Sequence, residues 1–130
     1  MAVLAAMLIA GCGGGGSDTE ASGEPLGKAE FVKRADAICI EAQKSILAAA
    51  KGGQGGLVSG TMSALRTEVR KIRALPAPAG DEAELRPILE GGEEVVKTSE
   101  AGYKGLIRAD KILAKVERLA DEYGFKVCLI

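Results

Sequence analysis

The chain reads as an all-α protein, a four-helix up-down bundle followed by a short extended C-terminal tail. Three observations predict it. Apolar residues recur three and four positions apart in four separate stretches. Period-two alternation is absent, and helix-forming residues dominate while β-branched ones are scattered. Glycine and proline clusters punctuate the chain between the stretches.

The first helix is expected over residues 28–50, where Phe31, Ala35, Ile38, Ala42, Ile46 and Ala49 form one stripe. Cys39 lies on the flank of that stripe, at what reads as the edge of the bundle. Residues 52–56 read as a glycine loop. The second helix occupies about 59–75, with Met62, Leu65, Val69 and Ile72 as its seam. Pro76-Ala77-Pro78-Ala79-Gly80 then makes a short, stiff connection.

Asp81 stands three residues before Glu84, the spacing of a capping box. Pro87 and the pair Gly91-Gly92 weaken the helix begun there, because proline lacks the N–H and crowds the carbonyl of Ala83. A bent start with firm helix from about Glu93 to Leu106 is therefore expected. Asp110 reads as the cap of a fourth helix ending at Tyr123, and Gly124 stands where a left-handed cap is wanted. Phe125, Val127, Leu129 and Ile130 are apolar, so the tail is expected to pack back on the bundle. An up-down arrangement returns that tail to the start of the first helix.

Met1 to Ala10 is an apolar run, and Leu8-Ile9-Ala10-Gly11-Cys12 closes it. These residues resemble a lipobox, the signal by which bacterial lipoproteins are acylated on a cysteine thiol and cut just before it. The resemblance implies a signal peptide over 1–11, lipid on Cys12, and a location at the extracytoplasmic face of the cell membrane. No Lys or Arg precedes the run, and it is shorter than the roughly 15–30 residues usual for a signal peptide. A start further upstream would account for both. Residues 12–27 are glycine-rich, carry Asp18, Glu20 and Glu24, and hold no cation. Such a composition cannot offset its ordering entropy, so the segment reads as a tether. Its acidity opposes a second, electrostatic attachment to anionic lipid.

Residues 28–130 then form one domain with a formal charge of +2, so nothing points to nucleic acid. Two Phe, two Tyr and no Trp supply no stacking platform for bases either. With Cys12 committed to lipid, Cys39 and Cys128 remain. An even pair in an exported chain reads as a disulfide; the alternative is two buried free thiols. A zinc site is excluded on ligand grounds, since the chain has no histidine and two lone cysteines do not make a ligand set.

A second resemblance covers residues 28–128. Phe31-Val32-Lys33-Arg34-Ala35-Asp36-Ala37-Ile38-Cys39, the Pro-Ala-Pro loop, and Glu122-Tyr123-Gly124-Phe125-Lys126-Val127-Cys128 resemble a group of small secreted lipoproteins of high-GC Gram-positive bacteria. That likeness implies a helical bundle and the Cys39–Cys128 pairing, and supplies no activity. Leu129-Ile130 departs from it, where a small or polar ending is expected.

No catalytic constellation is legible, and no cofactor is expected. Histidine, the commonest general base, is absent. Gly13–Gly16 lacks the Lys-Ser/Thr ending of a phosphate loop. Glu82/Glu84 and Glu93/Glu94 are too close in sequence to converge from one helix, and read as a solvated face. Arg66, Arg70 and Arg73 form a basic stripe that could hold an anionic headgroup or wall polymer. Their structural reading is favoured: cations suit a helix C-terminus, and Glu82, Glu84, Glu90 and Glu93 suit the start of the next helix. The leading expectation is a non-catalytic envelope module that binds a protein or a wall component. The alternative is a small-molecule carrier or sensor, with Gly91, Gly92, Gly102 and Gly105 opening a gap between helices.

Overall fold

A computed structural model describes residues 23–128. Cys12, the lipobox and Leu129-Ile130 lie outside the described residues. Four helices run in order: α1 Lys28–Ala50, α2 Gly53–Arg73, α3 Glu82–Ser99 and α4 Tyr103–Tyr123, with no strand among the described residues. The fold is the antiparallel four-helix bundle that the apolar periodicity requires. α1 packs on α2, α3 packs on α4, and α2 joins the two hairpins through α3.

The core gathers where the chain ends meet. Phe31, Ala35 and Cys39 of α1 pack with Ile72, Leu85, Ile88, Ala120, Tyr123 and Phe125. Phe31, Tyr123 and Phe125 form an aromatic cluster with centroids 5.3–6.3 Å apart, and Phe31 meets Tyr123 edge-on. Gly124 adopts φ +118°, the left-handed conformation that glycine reaches without penalty. The N–H of Phe125 donates to the Ala120 carbonyl and that of Gly124 to Asp121, which closes α4 and turns the chain back onto α1.

Several boundaries differ from the sequence expectation. The 52–56 segment is not a loop: Lys51-Gly52 alone connects the helices, and α2 begins at Gly53. Its glycines let α1 come close. A Cβ at Gly60 would lie 2.1 Å from that of Ala49, and one at Gly56 would lie 3.1 Å from the Ala49 carbonyl oxygen. Helix α3 runs through Pro87 from Glu82. Pro87 and Ala83 both lie on its exposed face, so the carbonyl freed by the missing N–H opens to solvent. The break expected between Leu106 and Asp110 falls instead at Glu100–Gly102, where Gly102 takes φ +80°. Leu106 and Asp110 therefore both belong to α4, and Asp110 caps nothing.

Asp81 does occupy the N-cap of α3, yet its side chain makes no cap hydrogen bond. The Tyr123 hydroxyl donates to its Oδ2 at 2.8 Å, tying the start of α3 to the end of α4. Glu84 pairs with Lys28 rather than closing a box. Burial, and then the Asp81 carboxylate, push the Tyr123 hydroxyl above its ordinary range.

The two hairpins are staggered. Arg73 pairs with Glu93 at 2.9 Å, and Arg66 with Glu100, so the end of α3 lies level with Arg66. From Gly53 to Arg66 α2 rises about 20 Å. The far half of the α1/α2 hairpin thus extends past the α3/α4 turn. Burial agrees: the last buried residue of α1 is Ala42 and the first of α2 is Ala64.

Candidate functional site

The best-built polar feature sits where the tail meets α1. Cys39 and Cys128 are joined by a disulfide with Cα atoms 5.1 Å apart. Cys39 has 0 % exposure, so it lies in the core and not at the bundle edge that its flanking position implied. Cys128 is half-buried. Side chains of α1 hold the tail on both sides of the bridge. Asp36 Oδ1 accepts from the backbone N–H of Lys126 at 3.1 Å and of Val127 at 3.0 Å. Gln43 Nε2 donates to the Val127 carbonyl at 3.2 Å.

Against this bridge α2 places Glu68, 8 % exposed and the only buried charged residue among those described. Its Oε1 lies 3.4 Å from Cys39 Sγ, and its Oε2 is buried with no hydrogen-bond partner. Burial pushes its pKa up to about 7. A disulfide sulfur carries no proton, so the 3.4 Å contact is a hydrogen bond only when the neutral carboxyl donates O–H to sulfur. Sequence reasoning missed this residue. The signal was present: Ala64, Glu68 and Ile72 stand four apart, on a face that the seam already marked as packed.

Cys39, Glu68 and Cys128 lie within 4.8 Å of one another, the spacing of a metal cluster. Zinc is held by thiolates, however, and here each sulfur is bonded to the other.

Two hollows meet at Glu68. A groove of about 290 Å³ runs between α1 and α2, lined by Glu41, Ser45, Ser63, Thr67, Glu68 and Lys71. The Lys71 ammonium holds Glu41 at 2.8 Å across it, which lowers the Glu41 pKa. The second hollow, about 60 Å³, is an apolar cleft between α2, α3 and α4. That is well below the roughly 300 Å³ of the smallest usual ligand pockets. The glycines of α3 do not open it. A Cβ at Gly91 would fall 2.4 Å from Val116 Cγ2, and one at Gly92 would fall 2.8 Å from Val69 Cγ2. They bring helices together. Gly105 faces the Thr98 carbonyl, and Gly102 supplies the turn.

The basic stripe is largely committed to ion pairs. Arg66 engages Glu100 and Arg73 engages Glu93, both across α2 and α3, while Arg70 is exposed and forms no ion pair among the described residues. Of the neighbouring acids, Glu94 accepts from the Thr98 hydroxyl, and Glu82 lies exposed at the start of α3. Apart from Ile40, beside Cys39 in α1, the exposed large apolar side chains lie away from the tail: Leu47, Leu57 and Val58 on the hairpin arm, and Tyr103, Leu106 and Ile107 on α4. Among the described residues, no helix is long and apolar enough to cross a membrane. Comparison with protein-family models, curated proteins and solved structures gives no match to this chain.

Proposed function

We propose that the chain is a lipoprotein anchored through Cys12 at the extracytoplasmic face of the cell membrane, acting without catalysis as an interaction module of the cell envelope. The lipobox-like residues and the acidic tether support the anchor. A disulfide supports the compartment, because such bonds persist outside the reducing cytoplasm. The hairpin arm carries the interaction reading. Leu47, Leu57 and Val58 are exposed there, past the level where α3 ends and α4 begins, and apolar surface gathered in one region marks association sites. The partner is an envelope protein or a wall component.

A photo-crosslinking residue at Val58 tests the reading, in cells that express and export the protein. The same residue at Arg118, exposed on α4, is the control. Adducts are expected from position 58 alone, and Cys12→Ala should release the protein from membranes. Equal adducts at both positions would exclude the arm as the contact surface; full membrane retention of Cys12→Ala would exclude the anchor. The polar groove between α1 and α2 favours a second reading, a carrier or sensor of a small polar molecule, with Glu41, Glu68 and Lys71 as its charged groups.

A further inference from the structure

We propose that Cys39–Cys128 is a site of thiol–disulfide exchange, with Glu68 as the general acid that serves the Cys39 sulfur. The two sulfurs are not equivalent. Cys39 is closed off inside the core, while Cys128 is half-buried in the chain's last described segment. An incoming thiolate therefore reaches Cys128, and Cys39 is the leaving group. Exchange rates depend on how easily the leaving sulfur departs, and a thiolate buried in apolar surroundings departs badly.

Among the described residues, the groove and the cleft that flank Cys39 are lined by no free cation to offset that charge, and Lys126 of the tail is exposed. Lys71 on α2 is the cation lining the groove, and it is held by Glu41 of α1. Glu117 of α4 lines the cleft beside Cys128, α3 contributes only apolar residues and Gly92 there, and Asp36 of α1 is occupied by the tail's N–H groups. Apart from Lys71, the charged groups lining the groove and the cleft are acids, and they disfavour a thiolate further. A proton must arrive instead. Glu68 Oε1, at 3.4 Å from Cys39 Sγ, is the carboxyl placed to deliver it, and the groove gives Glu68 a route to solvent for its replacement.

The reaction balances with a dithiol as reductant. Its thiolate bonds to Cys128 Sγ, the Cys39–Cys128 bond breaks, and the electron pair goes to Cys39 Sγ, which takes the proton from Glu68. The second thiol of the reductant then attacks its own sulfur in the mixed disulfide and releases Cys128. The dithiol leaves as a disulfide, the protein holds two thiols, and Glu68 recovers a proton from solvent.

The test is the rate of reduction of the full-length protein by dithiothreitol, expressed per thiolate, across pH. With an acid of pKa about 7, the neutral fraction falls about tenfold from about pH 6 to about pH 8, and the rate constant should fall with it. Glu68→Gln and Glu68→Leu should flatten the profile and bring the value at about pH 6 down to the wild-type value at about pH 8. Circular dichroism shows which variant has folded, and either one suffices. A flat wild-type profile overturns the proposal, as does a folded variant that keeps the wild-type bend.

Discussion

Removing the bridge should cost this domain about 5–6 kcal/mol of stability, and most of the loss should come from the unfolded state. Cys39→Ala combined with Cys128→Ala opens a loop of 89 residues. Chain-entropy arguments value that closure at about 4–5 kcal/mol. Loss of a fully buried sulfur at Cys39 adds about 1 kcal/mol. Against the roughly 5–15 kcal/mol typical of a whole domain, that is about a third of the total or more. The native tail has other anchors: Phe125 is 2 % exposed, and Asp36 and Gln43 hold the backbone of residues 126–127. The folded form should therefore keep its helicity and its closed tail. Urea titration monitored by helical circular dichroism checks both parts. The midpoint should drop sharply while the slope steepens, because an unlinked unfolded chain exposes more surface. A loss below about 1 kcal/mol, or an unchanged slope with the tail open to carboxypeptidase in the folded protein, would refute the reasoning.

Two glycines of similar appearance should respond in opposite ways. Gly55→Ala should raise stability by about 0.5–1 kcal/mol, since nothing lies within 4 Å of the added methyl and helix propensity improves. Gly105→Ala should lower it by at least about 1–3 kcal/mol, because the methyl would sit 2.1 Å from the Thr98 backbone oxygen; paired thermal melts decide. Glu68 should make stability fall with rising pH. Its folded pKa of about 7 exceeds the ordinary 4.5, so between those values the unfolded chain has released a proton that the folded one keeps. The deficit grows through that window to about 3 kcal/mol and levels off above it. Glu68→Gln should remove the slope in urea midpoints taken from about pH 4.5 to about pH 8, and an unchanged slope would contradict the assignment.

Where periodicity was long and punctuation agreed with it, the sequence was readable. Helix α1 has the bounds its stripe predicts, and the Gly124 turn and the returning tail stand where Tyr123-Gly124-Phe125 implied. Glycine misled in both directions. Residues 52–56 are poor helix formers by propensity, yet the close approach of Ala49 to Gly56 and Gly60 rewards a helix there. At Gly91-Gly92 the same holds, with Val116 and Val69 filling the space. Between Pro87 and Gly124, Gly102 alone takes positive φ and breaks the chain, and nothing in its neighbours distinguishes it from Gly105 three residues later. Propensity is local, whereas packing that overrides it comes from a helix elsewhere in the chain.

Glu68 was hard to weigh for a related reason: its spacing marks it as core, its chemistry as surface, and it is the residue on which the site turns. A glutamate at core spacing is ambiguous in sequence, because a long side chain at the margin of a seam ordinarily reaches water. What denies it water here is not α2. Cys39 arrives from 29 residues upstream, and Cys128 from the tail that α4 and the Gly124 turn fold back. Until that return is known, Glu68 looks like one more surface acid among Glu41, Glu90 and Glu93. Once it is known, the same carboxyl lacks a partner for Oε2, touches the buried sulfur through Oε1, and lines the polar groove that reaches it from outside. Such an acid lowers stability at neutral pH, a cost that purely structural packing with leucine would avoid. A proton-transfer role at the bridge gives that cost a function, and the pH dependence of the exchange rate measures it.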